Sequence, residues 1–208
     1  TTEYIVSVTD NNFCSALDSV IVTVNPLPII NAGADTAFCD GDSVQLNATG
    51  ATSYVWSPAP GLSNPNIANP VANPTLTTLY TVTGTDGNSC SNADAVLVTV
   101  NPLPTILVSN DTAICLGSSV QLNASGGVSY SWTPTTALSN PSIANPVASP
   151  SVNTTYTVNA LDANGCANSN SVTVNVNSLP IVSAGNDATI CLGDSTQLLA
   201  SGATSYVW

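Results

Sequence analysis

The sequence repeats itself with a period of 76 residues, and this repeat constrains the fold more than any other feature. The phrase CDGDSVQLNATGATSYVW at 39–56 returns as CLGSSVQLNASGGVSYSW at 115–132 and as CLGDSTQLLASGATSYVW at 191–208. Residues 25–100 and 101–176 share 43 identities in 76 aligned positions. A fixed period of this length is typical of an array of similar modules, each forming one structural unit.

The repeat divides the chain into four segments. Residues 25–100 and 101–176 are complete repeats, residues 1–24 match the C-terminal part of a repeat, and residues 177–208 match its N-terminal part. The joints between them are short and contain proline: VNPLP at 24–28 and 100–104, and VNSLP at 176–180. We expect these stiff joints to hold neighbouring modules end to end as a semi-rigid rod within a longer chain.

Apolar and polar residues alternate along short segments of each repeat. In SVQLNA, YVW, LYTV and AVLVTV, the apolar residues fall on every second position and are mostly β-branched or aromatic, which indicates strands with one buried face. No segment has helical periodicity, and turn formers such as DGD, TG and DGNS separate the strands. The sequence therefore predicts an all-β fold: tandem immunoglobulin-like β-sandwich modules of 76 residues, built from antiparallel strands and arranged end to end.

Two aromatic residues per repeat are predicted to lie in the core. The Trp falls on the third strand and the Tyr opens the penultimate strand, as in immunoglobulin-like sandwiches. These residues are Trp56, Tyr80, Trp132 and Tyr156. The alternative, an exposed aromatic platform for a sugar, is disfavoured because the single Trp of each repeat has the inward phase of its strand.

The charge of the chain is one-sided. It contains no Lys, Arg or His and 12 acidic residues, giving a formal net charge of −12 at pH 7. Such a chain repels nucleic-acid phosphates and anionic membrane surfaces. No apolar run is long enough to cross a bilayer, so neither nucleic-acid binding nor membrane insertion is expected within this stretch.

Each complete repeat has two cysteines, which we interpret as disulfide partners. Zinc and thiol catalysis are poor alternatives, because the chain has no His or Lys and no close pair of cysteines. Pairing within modules would join Cys39 to Cys90 and Cys115 to Cys166 and would leave Cys14 and Cys191 to bond outside this stretch. In a sandwich, however, the first turn and the last hairpin lie at opposite ends, which would instead join Cys39 to Cys166 of the next module. The sequence leaves both pairings open, and disulfides place the chain outside the cytoplasm.

The aspartates cluster in turns and are candidates for calcium binding. The residues concerned are Asp35, Asp86, Asp111 and Asp162. Oxygen ligands suit a hard cation, and calcium at the module joints would supply the positive charge that the side chains lack. The alternative is that they only cap turns, as Asp often does. No other cofactor is expected.

The chain resembles the polycystic-kidney-disease-like and immunoglobulin-like repeats of very large secreted and surface proteins of Bacteroidetes. The matching pieces are the AGAD start of the module, the C-x-G-x-S-V-x-L strand, the Y-x-W strand and the Y-T-V…D-x-N-x-C end. This resemblance implies export by the type IX secretion route and a role in cell-surface adhesion, gliding or a filament. Such modules also serve as spacers in secreted polysaccharide-degrading enzymes.

A second short motif is similar to the O-glycosylation signal of exported proteins of the same bacterial group. It reads Asp-(Ser/Thr)-(small or apolar), and its hydroxyl residues are Ser19, Thr36, Ser43, Thr112 and Ser195. The resemblance implies glycans at these positions. The alternative is that the motif only marks the junction between a turn and a strand.

The sequence therefore predicts a structural, non-catalytic role. The acids recur once per module on turns, which suits a copied structural feature and not a unique active site. The preferred function is the shaft of an extracellular surface adhesin or filament, whose partners are neighbouring repeats and, through open sheet edges, other shafts. The alternatives are a spacer in a secreted multidomain enzyme and an array of polysaccharide-binding modules.

Overall fold

The computed structural model describes residues 1–208 and contains β-strands but no helix. The chain divides into two compact units, Thr1–Pro102 and Leu103–Trp208. The predicted repeat boundaries at 24/25, 100/101 and 176/177 stay predictions, although the second lies two residues from the division between the units. No helix in the structure is long and apolar enough to cross a membrane.

The first unit contains eight strands. They are β1 (Thr2–Thr9), β2 (Ser15–Val22), β3 (Thr36–Cys39), β4 (Val44–Gln45), β5 (Ser53–Ser57), β6 (Val71–Ala72), β7 (Thr78–Thr85) and β8 (Ser91–Asn101). A four-stranded sheet has the order β3-β8-β7-β5, a two-stranded sheet pairs β4 with β6, and β1 and β2 form a separate hairpin.

The antiparallel part of the large sheet follows from the alternation in the sequence. Tyr80 and Val82 of β7 lie opposite Val96 and Asp94 of β8, and Trp56 of β5 lies opposite Val82. Every second residue of β7 is buried, because alternate side chains of a strand point to the same face. The face that carries Trp56 and Tyr80 is therefore the inner face of the sheet.

The pairing of β3 with β8 differs from the expected antiparallel arrangement. These two strands run parallel, with Thr36 opposite Val98 and Cys39 opposite Asn101. Just before β3, Asn31 forms an antiparallel bridge with Thr49, which follows β4. The first segment of the module, residues 29–39, thus pairs first with the residues after β4 and then crosses to the large sheet. It arrives there in the same direction as β8, so its ladder is parallel.

The smaller layer of the sandwich is held by few regular pairs. Val44 and Gln45 pair with β6, and the proline-rich stretch 62–74 contributes only this two-residue strand and a bridge from Leu62 to Ala72. The sequence predicts irregular or edge structure here, because proline cannot donate to a ladder. The backbone N–H of Leu46 nevertheless bonds to the carbonyl of Pro70.

The second unit repeats this arrangement. Its strands are β9 (Leu107–Val108), β10 (Thr112–Cys115), β11 (Val120–Gln121), β12 (Ala124–Ser125), β13 (Ser129–Thr133), β14 (Val147–Ala148), β15 (Thr154–Leu161) and β16 (Ala167–Asn177). The large sheet has the order β10-β16-β15-β13, again with a parallel first pair. Two small sheets pair β11 with β14 and β9 with β12.

Each unit has its own core between its two layers. In the first unit the buried cluster joins Leu46, Ala48 and Ala72 of the smaller layer to Trp56, Tyr80, Val82, Val96 and Val98 of the large sheet, together with Ile30 and Ala32. The cluster of the second unit consists only of residues between 106 and 174. The all-β, immunoglobulin-like sandwich expected from the sequence is thus confirmed. Three residues expected to face inward, Val44, Tyr54 and Val100, are only half-buried.

The segments 1–24 and 177–208 lack such a core. The β1–β2 hairpin is exposed along its whole length, including Ile5 and Val20. Residues 178–208 form only one isolated bridge, Ser183 to Ser201, and Trp208 is exposed although its equivalents Trp56 and Trp132 are buried.

Candidate functional site

The aspartate of the last hairpin of each repeat organises its own turn. In Asp86 the Oδ1 atom accepts hydrogen bonds from the backbone N–H groups of Asn88 and Cys90, at 2.8 and 2.9 Å. Asp162 does the same for Asn164 and Cys166, at 2.8 and 2.9 Å. This is the turn-capping role of Asp. It holds the cysteine that follows the turn in a fixed backbone position.

The aspartate before the first cysteine acts on a distant strand. Asp35 Oδ1 accepts a hydrogen bond of 2.8 Å from the backbone N–H of Leu97 in β8. Asp111 accepts the equivalent bond of 2.7 Å from Thr173 in β16. Both carboxylates therefore fasten the first segment of the module to its last strand.

The four predicted calcium ligands are not brought together within a module. Asp35 lies beside Leu97, whereas Asp86 binds the backbone of Cys90, just before the first residue of β8, so about 20 Å of strand separates their backbone partners. One cation cannot contact both carboxylates of a module. No group of three or more acidic or cysteine side chains is gathered where it would hold a metal ion. Calcium bound by single carboxylates at the joints stays a prediction.

Three further polar residues take roles that the sequence did not predict. Asp94 Oδ2 accepts a 2.8 Å hydrogen bond from the backbone N–H of Ala32. The pKa of Asp94 is lowered, mainly by the hydrogen bond from the backbone of Ala32 and to a smaller extent by one from the backbone of Ala95. Asn92 donates from Nδ2 to the carbonyl of Pro28 at 3.0 Å, and Asn168 donates to that of Pro104 at 2.9 Å. The signal that could have found the asparagines is their recurrence 76 positions apart.

The predicted core aromatics are buried, and their polar atoms are used internally. The indole N–H of Trp56 donates to the carbonyl of Ile67 at 2.9 Å, and that of Trp132 to Ile143 at 3.0 Å. The hydroxyl of Tyr80 donates to the carbonyl of Pro60 at 3.0 Å, and burial raises the pKa of Tyr80. Tyr156 is equivalent: its hydroxyl donates to the carbonyl of Thr136 at 3.2 Å, and burial raises its pKa too. None of these rings offers a face to a sugar.

The cysteines fall into two groups. Cys39 and Cys166 are disulfide-bonded, whereas Cys14, Cys90, Cys115 and Cys191 are free thiols. This differs from the pairing within modules, which requires Cys90 and Cys115 to be oxidised as well. The physical reason lies in the register: Cys39 is opposite the last residue of β8, and Cys90 precedes its first residue.

The candidate glycosylation sites have different surroundings. Ser19, Ser43 and Ser195 are exposed, whereas Thr36 and Thr112 are half-buried in the parallel strands β3 and β10. A sugar therefore has free access at the three serines and only partial access at the two threonines. Glycosylation stays a prediction at all five positions.

The polar side chains described above bond to the backbone of their own module. The bonds of Asp35, Asp86 and Asn92 recur at the equivalent positions of the second repeat, whereas Asn170, the equivalent of Asp94, donates to the carbonyl of Ile106. No buried side-chain nitrogen or oxygen lacks a hydrogen-bond partner. The bonds that recur at equivalent positions maintain the fold of each module.

Comparison with known proteins agrees with this architecture. Residues 103–180 match the model of a family described as Ig-like domain, CHU_C associated. With the strand order of both units, this match confirms tandem immunoglobulin-like modules. No curated protein matches the chain.

Three solved structures illustrate the similarity. DIP-gamma IG1+IG2 is 12% identical, with 73% of this chain and 98% of that chain covered and a TM-score of 0.37. The insect immune protein hemolin is 12% identical, with 84% and 56% covered and a TM-score of 0.39. Mouse cadherin-23 EC22-24 is 14% identical, with 85% and 74% covered and a TM-score of 0.37.

Proposed function

We propose that this chain is a structural, non-catalytic shaft of an extracellular surface adhesin or filament, built from repeated disulfide-stapled β-sandwiches. One observation carries the proposal: residues 76 positions apart perform the same internal task in both units. Trp56 and Trp132, Tyr80 and Tyr156, and Asp35 and Asp111 each make equivalent bonds. Copies that repeat the same internal bonds at these positions are suited to spanning distance.

The cysteines and the sheet edges support the location and the partners that we propose. A protein disulfide persists outside the cytoplasm, where the environment is oxidising. Each large sheet leaves two edge strands, β3 and β5 in the first unit, and such edges can pair with another chain. The proposed partners are therefore neighbouring repeats along the shaft and further shafts beside it, on the cell surface or outside the cell. Type IX export and a glycan coat belong to the same proposal.

Length measurements test the shaft directly. Variants that carry one, two or four additional copies of residues 101–176, inserted after Val176, keep the repeat in register. A shaft grows by a constant increment per copy, of roughly 35 Å if the 11-residue strand β8 sets the module length. Small-angle X-ray scattering or atomic force microscopy measures this increment. A maximum dimension that grows only with the cube root of the mass would contradict the proposal.

Binding measurements separate the shaft from a polysaccharide-binding array. The same variants are incubated with insoluble polysaccharides such as cellulose and chitin, and the fraction retained after washing is measured. A shaft is not retained at any copy number. Retention that rises with each added copy would show that the modules themselves bind polysaccharide.

A further inference from the structure

The outer faces of the two large sheets differ in chemistry, although the two units share one fold. At five outward positions of β5, β7 and β8 the first unit carries an apolar side chain, and the second unit carries a hydroxyl group at each equivalent position. The equivalent pairs are Val55 and Ser131, Leu79 and Thr155, Ala93 and Ser169, Ala95 and Ser171, and Leu97 and Thr173. The five residues of the first unit are called the apolar face below.

The large inward side chains of the same strands do not change between the units, and they are buried in both. They are Trp56, Tyr80, Val82, Val96 and Val98 in the first unit and Trp132, Tyr156, Val158, Val172 and Val174 in the second. Only beside the hairpin turn does the outer face change in the opposite sense, from Thr85 and Ser91 to Leu161 and Ala167. Packing of the core therefore does not explain the apolar face, which lies on the solvent side of the sheet.

The apolar face is a continuous surface with a leucine pair at one end. Leu79 of β7 lies directly opposite Leu97 of β8, so the two side chains form a cross-strand pair. The next two rows along the sheet contain the two alanines opposite Thr81 and Thr83, and Val55 of β5 lies on the other side of Thr83. The side chains of Leu79 and Val55 are 57% and 56% exposed. Apolar surface of this kind gains free energy when it leaves water.

The second unit has a polar pair at the place of the two leucines. Thr155 lies opposite Thr173, and their hydroxyl oxygens form a hydrogen bond of 3.0 Å. Ser131, Ser169 and Ser171 complete a face whose hydroxyl groups bind water well. The two outer faces are thus suited to different surroundings, water in the second unit and another apolar surface in the first.

No charged side chain has the outward phase of these strands in the first unit. Asp35 lies at the edge of the sheet and accepts its hydrogen bond from the backbone N–H of Leu97, Asp86 lies in the hairpin turn, and Asp94 has the inward phase and binds Ala32. A basic partner would be attracted to these carboxylates and not to the apolar face. The face also has no aromatic ring on which a sugar could stack.

We propose that the apolar face is the docking surface for a second copy of this chain, and that two first units pack their large sheets face to face. The second copy presents the same uncharged apolar rows, and a two-fold axis places the leucine pair of each copy on the apolar face of the other. This arrangement keeps the carboxylates at the rim, which matters because neither chain has a basic side chain to offset the net charge of −12 on the other. The proposal rests on the proposed function in one respect, the association of shafts side by side, and it assigns that contact to the first unit.

The size of the face indicates a weak and reversible dimer. Rows 79 to 85 extend over roughly 20 Å along the strands, and four strands extend over about 14 Å across the sheet, so each copy contributes roughly 300–400 Å². A stable interface of standard size buries about 800 Å² per partner. A single pair of first units therefore associates only at high protein concentration, and several such units in one shaft bind more tightly through avidity.

A dilution series followed by NMR locates the contact in the intact chain. The 208-residue chain with ¹³C-labelled methyl groups is compared at millimolar and low micromolar concentration. The methyl resonances of Val55, Leu79 and Leu97 are expected to shift with concentration, whereas those of Thr155 and Thr173 stay constant. Constant resonances at all five residues overturn the proposal, and so do equal shifts in both units or shifts confined to the β1–β2 hairpin.

Other occupants of the face give a different result in the same experiment. Poly-L-lysine stands for a basic protein, and a soluble cello-oligosaccharide stands for a polysaccharide. If the resonances of Val55, Leu79 and Leu97 stay constant on concentration but shift when one of these is added, a second copy is the wrong occupant. Salt distinguishes the cases further, because screening weakens the repulsion between two acidic chains and should strengthen their dimer.

Matched substitutions supply the control. Leu79→Thr with Leu97→Thr gives the first unit the pair that the second unit carries, so the variant should fold. Its dimer dissociation constant, measured by sedimentation equilibrium, should rise roughly tenfold or more, because four leucine side chains leave the interface. Ile67→Thr with Val71→Thr removes partly exposed apolar side chains outside the apolar face and should leave the constant unchanged.

Equal effects of the two double substitutions would show that general hydrophobicity, and not the apolar face, drives association. Circular dichroism and Trp56 fluorescence verify the fold of each variant. Length measurements in dilute solution report the shaft, whereas the dilution series reports the face. A shaft of the expected length whose leucine resonances do not respond to concentration therefore overturns only the docking surface.

Discussion

At the scale of single residues, a few polar side chains hold together segments that are far apart in the chain. Asp35 binds the backbone of Leu97, Asp94 binds that of Ala32, and Asn92 binds that of Pro28. Each bond connects the start of the module to its last strand. A chain without basic side chains cannot form salt bridges, so carboxylates and amides bound to backbone groups take over this stabilising role.

Asp94→Asn is expected to destabilise the first unit in a pH-dependent way. Because the folded pKa of Asp94 is lowered, its stabilising contribution is present above the unfolded value of about 4. That contribution is lost as the pH falls through the lowered folded pKa. The variant should therefore be less stable than the parent at pH 7, and the difference should shrink as the pH falls below 4.

Urea unfolding at several pH values measures this difference. Trp56 fluorescence reports the first unit when Trp132→Phe and Trp208→Phe are present in both proteins. Asn is a suitable replacement because Asn170 occupies the equivalent position of the second repeat. A difference in the free energy of unfolding that stays constant from pH 7 to pH 2 would show that the charge of Asp94 is not involved.

Ala137→Gly is expected to stabilise the second unit. Ala137 has a φ of 63°, a left-handed conformation that costs a residue with a Cβ atom about 1–2 kcal/mol. The equivalent residue in the first repeat is Gly61, with a φ of 81°. Glycine removes the strain but raises the conformational entropy of the unfolded chain. The expected net gain in the free energy of unfolding is therefore about 0.5–1 kcal/mol.

The reverse substitution, Gly61→Ala, is the matched control. Its added Cβ would lie 2.7 Å from the Tyr80 hydroxyl, so it should destabilise the first unit. Urea unfolding, followed by Trp132 in one case and by Trp56 in the other, gives both values. Equal effects of the same sign would contradict this account.

At the scale of secondary-structure elements, local alternation predicted the strands but not all of their partners. The periodic segments are strands β5, β7 and β8, and the buried set includes Trp56, Tyr80 and Val98. The parallel pairing of β3 was missed, because register between segments some 60 residues apart leaves no local signature. The same limit explains why the sequence left the cysteine pairing open: only the register of β8 excludes one of the two alternatives.

The turn after β4 provides a prediction at this scale. Gly50 has a φ of 100°, and a Cβ at this position would overlap the carbonyl oxygen of Ile29, where the first segment crosses the turn. Gly41 has a similar φ of 93°, but a Cβ there meets nothing within 4 Å. Gly41→Ala should cost about 1–2 kcal/mol from backbone strain alone. Gly50→Ala should cost at least about twice as much, because the first segment must also move.

Urea unfolding of the two variants separates strain from overlap. The same comparison at Gly126 and Gly117 of the second unit serves as an independent repeat, since a Cβ at Gly126 would overlap the carbonyl oxygen of Thr105. If Gly41→Ala and Gly50→Ala were equally destabilising, close packing of the turn on the first segment would not matter for stability.

At the scale of the whole molecule, each unit carries a core made only of its own residues. Removal of residues 101–176 joins Val100 to Asn177, which is the equivalent of Asn101, so the register of the repeat is preserved. The shortened chain should keep the β-sheet circular dichroism spectrum and the buried environment of Trp56. Loss of both on deletion would show that the first unit depends on the second.

Acidification should lower the solubility of the chain, and the solubility should not return when the pH is lowered further. At pH 7 the net charge of −12 keeps molecules apart, although apolar side chains such as Ile5, Val20 and Ile181 are exposed. Below about pH 4 the carboxylates become protonated, and no basic side chain exists to make the chain positive. Light scattering should therefore rise below pH 4 and stay high at pH 2. Redissolution at pH 2 would contradict this expectation.

The parallel β3–β8 pair decides how a module responds to force along the chain. Tension enters β3 at its N-terminal end and leaves β8 at its C-terminal end, and these ends lie at opposite limits of the shared ladder. The hydrogen bonds from Thr36 to Cys39 are therefore loaded together in shear, whereas a hairpin pulled from its open end breaks one bond at a time. A tether made of such modules resists stretching up to a threshold and then lengthens in steps, one module after another.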